Sequence, residues 1–104
     1  MIANDLEPKY PTHPGSVLKD EIEYRGISQR KLANSMGVST SLLNEVLNEK
    51  RAINSEFALM IGMALDIDAE PLLIMQMRYD LFMAKKNQSF LLRLGKVKRV
   101  ASIL

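Results

Sequence analysis

One short stretch of the chain, residues 32–51, constrains the fold more than any other. It reads LANSMGVSTSLLNEVLNEKR, and Gly37 stands inside an otherwise helical pattern. Glycine in the middle of a helix costs roughly 1 kcal/mol, but it suits the left-handed residue that closes a helix. Ser39 follows as a good N-cap for a new helix. The stretch therefore predicts two short helices, at about 28–36 and 40–48, joined by a tight turn.

The rest of the chain carries further signals for the start and end of helices. Pro14 at a first helical position and Gly26 at a C-terminal stop bound a first helix that begins at His13. Asn54 is placed to cap a fourth helix, and Asp68 a fifth. A short sixth helix is favoured over a strand by the helical spacing of the apolar residues Phe90, Leu94, Val97, Ala101 and Leu104.

These elements predict an all-α protein with a single domain. Five helices occupy residues 13–84, an irregular segment of residues 1–12 precedes them, and a basic extension of residues 85–104 follows. The fifth helix is apolar on nearly every side, which is not typical of a lone surface helix. We therefore expect one side of it to pack on the core and another to form the contact of a homodimer.

Composition argues against several classes of function. The chain has no cysteine, which rules out a disulfide scaffold and a thiolate metal site and fits a reducing cytoplasm. Its single histidine, His13, lacks a catalytic partner and is interpreted as a helix-start residue. No apolar run approaches the roughly 20 residues of a membrane span, and the N-terminus is unlike a signal peptide. We predict a cytoplasmic protein that is not an enzyme and uses no cofactor, metal or membrane.

Charge is distributed unevenly along the chain. Residues 1–84 hold eight lysines and arginines against all twelve acidic residues, a net charge of −4. Residues 85–104 hold six cations and no acid, a net charge of +6. A basic tail of this kind binds nucleic acid or an acidic partner, or is only a soluble end. Composition leaves these alternatives open.

The paired helices around Gly37 have the spacing of a helix-turn-helix. The second helix of such a pair enters the major groove with its N-terminal residues toward the base edges. Hydroxyl, carboxylate and amide side chains read bases there, and an apolar group meets a thymine methyl. Spacing alone leaves two readings open, a hairpin that reads DNA and a hairpin that is only scaffold.

The residues predicted to contact DNA form two groups. Base contacts are predicted for Thr40, Ser41 and Glu45, with an exposed Leu42 near a thymine methyl. Ser39 lies on the same free face of the second helix. The residues predicted to hold phosphates are Gln29, Asn44, Asn48, Lys50 and Arg51.

Residues 12–84 resemble a known family in three segments. These segments are similar to HigA-type antitoxins, a branch of the Xre/Cro-like helix-turn-helix repressors. They read HPGSVLKDEIEYRGISQRKLANSMGVS, NEKRAINSEFAL and QMRYDL. The resemblance implies a five-helix Cro/lambda-repressor-like domain, a homodimer and repression of its own operon. A dimer of this kind places its two recognition helices on half-sites about 34–36 Å apart, so double-stranded DNA with an inverted-repeat operator is the expected partner.

The same resemblance implies a second partner, a toxin of the HigB type that cleaves messenger RNA and that the antitoxin neutralises. Two alternatives stay open at this point. One is a stand-alone Xre-like regulator without a toxin. The other is a protein-interaction module that uses its basic extension and its apolar fifth helix, with the hairpin as scaffold.

Four positions depart from the usual pattern of the family. Glu49 stands where glycine is usual after Asn48, at a position that often needs a positive φ. Glu45 occupies a base-facing position where a basic residue is frequent. Met60 replaces a frequent arginine, and Leu72 a common tryptophan. These changes affect the expected target sequence more than the expected fold.

Overall fold

The computed structural model describes residues 10–101 and contains six α-helices, with no strand in that range. The segment predicted to be irregular, residues 1–12, is described only from Tyr10 onward, and Leu104 lies outside the described residues. The six helices are α1 (Pro14–Arg25), α2 (Gln29–Met36), α3 (Thr40–Leu47), α4 (Ser55–Leu65), α5 (Ala69–Ala84) and α6 (Gln88–Leu94).

Side-chain caps set the beginnings of the helices, as the sequence predicted. The Oγ of Ser39 accepts a hydrogen bond from the Leu42 N–H at 3.0 Å, which caps α3. The Oδ1 of Asn54 caps α4 in the same way. Gly37 closes α2 with φ 73°, in the left-handed region that glycine adopts without strain. The predicted break between two short helices at Gly37 is confirmed.

The core lies where α1 to α4 meet, and α5 covers one side of it. Ala33 of α2 is fully buried, and its small side chain lets α2 and α3 approach closely. Leu72 of α5 is buried in the same cluster, so leucine fills this position without a tryptophan. The largest fully buried side chains of the core are Leu18, Ile22, Leu43, Leu47, Ile61, Leu65 and Val46.

A close backbone contact holds the start of α1 against the end of α3. A Cβ added to Gly15 would lie 1.8 Å from the carbonyl oxygen of Val46, so only glycine fits there. His13 caps α1, because its Nδ1 accepts a hydrogen bond from the Gly15 N–H at 2.9 Å. Pro14 takes the first helical position. The prediction that His13 starts a helix is confirmed.

Helix α5 is held to the rest of the protein by a buried glutamine. Gln76 accepts a hydrogen bond from the Ile53 N–H at 3.0 Å, and its amide donates to Asp80. Both polar ends of this side chain are therefore satisfied inside the protein. Away from Gln76, α5 exposes the large apolar residues Ile74, Met77 and Leu81, and Met83 is exposed near the end of the helix on the same side as Gln76.

Helix α6 is shorter than its apolar spacing predicted. It ends at Leu94, and Val97 and Ala101 lie beyond it. No residue of α6 is buried, so little packing stabilises a longer helix. In the part of the chain that is described, no helix has the length and apolar character needed to cross a bilayer.

Candidate nucleic-acid interface

The outward face of α3 is the candidate interface. Leu43, Val46 and Leu47 anchor the helix in the core, and the residues at its N-terminus are exposed among the described residues 10–101. Thr40, Ser41 and Asn44 are exposed on the outward face, beside the capping Ser39. These polar groups are therefore presented together, as a helix that enters a major groove requires.

Leu42 departs from the prediction of an exposed side chain. It is half-buried and packs against the core beside Val38. Together with Phe57 and Met60 of α4, these two residues line a groove. The prediction treated α3 as a lone helix, whereas α4 covers part of this position. Only part of the Leu42 side chain is left to meet a thymine methyl.

A hydrogen bond between side chains joins α2 to α3 at the outer face. The Asn44 amide donates to the Oε1 of Gln29 at 3.1 Å. Gln29 is the first residue of α2, next to the unpaired N–H groups of that helix end. Its own amide hydrogens are left to donate to a phosphate. Two of the five residues predicted to hold phosphates are thus brought together by the fold.

Asn48 ends α3 and connects it to α1. Its amide donates to the carbonyl oxygen of Asn44 at 2.9 Å, and its Oδ1 accepts from the Lys19 ammonium at 3.3 Å. Lys19 was not among the predicted site residues. It lies four residues after Gly15 and therefore on the same side of α1 as the contact with α3. This spacing could have identified Lys19, had the Gly15 contact been known.

Glu45 and Arg51 form an ion pair at the edge of the interface. The Nε and one terminal nitrogen of Arg51 both lie 2.8 Å from the Oε1 of Glu45. The two side chains are 43% and 51% exposed, so the pair stays open to solvent and to a ligand. Because both contacts go to Oε1, Oε2 is left as an acceptor. The predicted base contact and the predicted phosphate contact are therefore coupled to each other.

Comparison with known proteins places this geometry in a family. No model of a known protein family matches the chain. Virulence-associated protein I of Dichelobacter nodosus is 38% identical over 77 residues, which are 73% of this chain and 71% of that protein. PA4674 of Pseudomonas aeruginosa, solved with its operator DNA, is 33% identical over 71% of this chain and 82% of its own, with a TM-score of 0.66.

Two solved antitoxins superpose over more of the chain. Antitoxin GraA is 31% identical, with a TM-score of 0.77, over 89% of this chain and all of its own. HigA of Pseudomonas aeruginosa, solved with the higBA promoter, is 27% identical, with a TM-score of 0.73, over 86% of this chain and 98% of its own. The chain belongs to the HigA-type antitoxin family. The resemblance found in the sequence and the predicted Xre/Cro-like helix-turn-helix fold are confirmed.

In the loop after α3 of this HigA-type chain, Glu49 adopts a left-handed conformation at the position where the resemblance leads us to expect glycine. Its φ is 64°, in the left-handed region, and its N–H donates to the Val46 carbonyl. The backbone N–H of the following residue, Lys50, donates to the Glu45 carbonyl at 2.8 Å and completes the turn. A left-handed residue with a Cβ costs roughly 1–2 kcal/mol. The chain therefore carries backbone strain and an acid beside Lys50 and Arg51.

Replacement of Glu49 separates strain from charge. Glu49→Gly removes both and should raise the free energy of unfolding by about 0.5–1 kcal/mol, after the entropy cost of glycine. Glu49→Gln removes only the charge and should leave stability unchanged. Both variants should bind duplex DNA roughly two- to threefold more tightly, because one carboxylate no longer repels phosphates. Urea denaturation and anisotropy titration measure the two effects, and equal stability of the two variants would contradict the strain.

Acid should weaken this HigA-type fold through His13. Burial lowers the pKa of His13, and the charges of Glu49 and Asp80 and the backbone of Arg51 oppose that shift only in part. The folded protein therefore binds this proton less well than the unfolded chain. The contribution of His13 to stability is fully present above the ordinary histidine pKa of about 6.5, and it is lost as the pH falls below that value.

The measurement for His13 is the urea midpoint at pH 7.5 and 5.5. Protonation also removes the acceptor that caps α1, which is worth about 1 kcal/mol. His13→Asn keeps a capping acceptor and does not titrate, so its midpoint should be the same at both values. If the variant and the natural protein lose equal stability, another group is responsible.

Proposed function

We propose that the protein is a sequence-specific DNA-binding repressor that acts as an antitoxin and binds the operator of its own operon. The observation that carries this proposal is the prearranged polar face of α3. Ser39 caps the helix, Asn44 is held by Gln29, and Glu45 is held by Arg51. A face ordered before binding loses little conformational entropy when it meets a base edge.

The roles of the side chains follow from their places on this face. Thr40 and Ser41 reach the base edges first, because they lie at the N-terminus of the helix. The free Oε2 of Glu45 accepts a hydrogen bond from a cytosine amino group. The side chains that hold phosphates on either side are Gln29, Asn44, Asn48, Lys50 and Arg51.

The operator binds a homodimer in this proposal. The exposed apolar side of α5, with Met77 and Leu81, is the surface that a second copy covers. Residues 13–84 form the binding domain and residues 85–104 its extension. An inverted repeat with half-sites about 34–36 Å apart matches such a dimer.

The antitoxin role also includes neutralisation of a toxin. Family membership supports it, and we propose a HigB-like protein that cleaves messenger RNA as the partner. A short open reading frame for such a protein beside the gene would support this role. Its absence would favour a stand-alone Xre-like regulator.

Fluorescence-anisotropy titration tests the proposed repressor. The protein is titrated against the duplex upstream of its own gene and against a scrambled duplex, at several salt concentrations. Specific binding predicts a preference of about a thousandfold or more for its own duplex. Weak and equal binding to both duplexes would overturn DNA-sequence reading and favour a protein-interaction module that uses the apolar side of α5.

Ser41→Ala tests the base-reading role of the exposed hydroxyl. A single lost hydrogen bond of about 1 kcal/mol should weaken binding to the operator roughly fivefold at each recognition helix, with little change on scrambled DNA. Ser35→Ala is the matched control, because Ser35 is exposed on α2 beside Leu59 and Met63, away from this face. Equal losses on the two duplexes would remove Ser41 from the base-reading set.

A further inference from the structure

We propose that residues 85–99 of the basic extension bind the phosphates of the duplex beside the recognition helix and lengthen the contact with DNA. This inference rests on the proposed DNA binding and adds a second surface to it. The extension would contribute affinity without sequence preference, because phosphates carry no base information.

The first support is the course of α5 beside the loop that follows α3. Gln76 of α5 accepts a hydrogen bond from Ile53, two residues after Arg51. One turn later, the ring of Tyr79 meets the ring of His13 edge to face, with centroids 4.9 Å apart. The part of α5 from Gln76 to Tyr79 thus lies beside the loop that follows α3 and beside the start of α1.

The second support is the anchoring of the extension at its beginning. The ring of Tyr10 lies edge to face on Phe82, with centroids 4.6 Å apart. The Lys86 ammonium lies 4.5 Å from the centre of the Tyr10 ring and hydrogen-bonds its hydroxyl. Lys86 is thereby held against the segment that leads into α1. The extension starts from a fixed point near the proposed interface.

The third support is charge. The extension carries six cations and no acid, in a chain whose other residues have a net charge of −4. Within residues 10–101 the only salt bridges are Arg25 with Glu21 and Arg51 with Glu45, so none uses a cation of the extension. The cations concerned are Lys85, Lys86, Arg93, Lys96, Lys98 and Arg99.

Duplex DNA fits this extension better than an acidic protein does. The extension has a net charge of +6, and Lys86 at its beginning is held beside Tyr10, on the segment that leads into α1. Residues 97–99 follow α6 without helical structure and are exposed. A chain segment in this form spans up to about 3.5 Å per residue, and a duplex offers a charge every 1.7 Å or so along its axis. Successive cations can therefore meet successive phosphates.

The test removes three exposed cations that form no salt bridge within residues 10–101. Lys96→Gln, Lys98→Gln and Arg99→Gln are combined in one variant, and Lys96→Arg, Lys98→Arg and Arg99→Lys in a control that keeps the charge. Both are titrated, as the full chain, against the duplex upstream of the gene and against a scrambled duplex at several salt concentrations. The oligomeric state of each is measured by light scattering at the same protein concentration.

The neutral variant should bind both duplexes more weakly, by at least tenfold at low salt, with its preference between them unchanged. The slope of log affinity against log salt should become shallower by about 0.9 for each lost phosphate contact, whereas the control keeps the natural slope. An unchanged slope overturns the proposal. A loss of affinity with an unchanged slope and a weakened dimer also overturns it, since the extension would then hold subunits together.

Failure of this inference can be told apart from failure of the proposed function. The extension is read from the slope on scrambled DNA, and the repressor from the ratio between the two duplexes. If the natural protein strongly prefers its own duplex and the neutral variant keeps the same salt slope, only the proposed role of the extension is overturned. If the natural protein shows no preference between the duplexes but the neutral variant has a shallower salt slope, only the proposed repressor function is overturned.

Discussion

Gly15→Ala is expected to lower the midpoint of thermal unfolding by roughly 12 °C or more. The new methyl group would lie 1.8 Å from the Val46 carbonyl oxygen and 2.9 Å from its carbon. Both atoms belong to the backbone of α3, so no side chain can rotate away. We expect a cost of about 3 kcal/mol, the upper end of ordinary overpacking, and each kcal/mol lowers the midpoint by about 4 °C or more in a domain of this size.

Circular dichroism during heating measures this effect, and Gly95→Ala is the matched control. Alanine at Gly95 meets nothing closer than the Leu91 carbonyl oxygen at 3.5 Å, and φ is −64° there, so the change should stay within about 0.5 kcal/mol. If the two variants melt at the same temperature, α1 and α3 are less closely packed than the structure indicates.

The sequence predicted where the first five helices begin well, because the groups that set these boundaries are local. Ser39 and Asn54 accept hydrogen bonds from residues three positions along the chain. Gly37 ends a helix through its own left-handed φ. None of these features depends on a distant segment. The residue types at the turn are therefore enough to predict where α2 ends and α3 begins.

The arrangement of the candidate site was harder to predict, because it depends on contacts between distant residues. Lys19 and Asn48 are 29 positions apart, and Gln29 and Asn44 are 15 apart. The burial of Leu42 depends on α4, which a helical pattern for α3 alone does not include. The residue types at the site were thus predictable, whereas their pairing needed the fold.

The backbone strain at Glu49 is an intermediate case, in which the local conformation could be expected from the sequence only in part and its effect on distant pairing could not be expected. The family pattern often needs a positive φ at this position, which left the turn open with glutamate there, and φ is 64°. The consequence was not predictable, because the left-handed turn is what returns the chain and brings Arg51 back to Glu45. Two residues six positions apart pair only after this turn forms.

Arg51→Ala is expected to weaken binding to every duplex by roughly thirtyfold. It removes a proposed phosphate contact, and it leaves the Glu45 carboxylate uncompensated beside DNA. Loss of a charge-assisted hydrogen bond costs about 1.5–3 kcal/mol, and each 1.4 kcal/mol is tenfold in affinity. Arg25→Ala is the control, since Arg25 pairs with Glu21 at 2.6 Å in the same way but lies on α1, bonded to the end of α4.

Glu45→Gln should act in the opposite direction on scrambled DNA. It frees the Arg51 guanidinium for phosphate and removes a repelling charge, so affinity for scrambled DNA should rise by about threefold. The preference for the operator should fall, because a carboxylate that accepts from a cytosine amino group is lost. The negative charge at this position therefore improves selectivity at the expense of general affinity.

The double variant decides whether the ion pair acts as a unit. If Arg51 also compensates Glu45 in the complex, the Glu45→Gln change should recover about 1 kcal/mol of the loss caused by Arg51→Ala, and the two effects will not add. If the effects add, the pair seen in the free protein breaks on DNA and each residue binds alone. Coupling would mean that Arg51 influences which base Glu45 accepts, although its own contact is with phosphate.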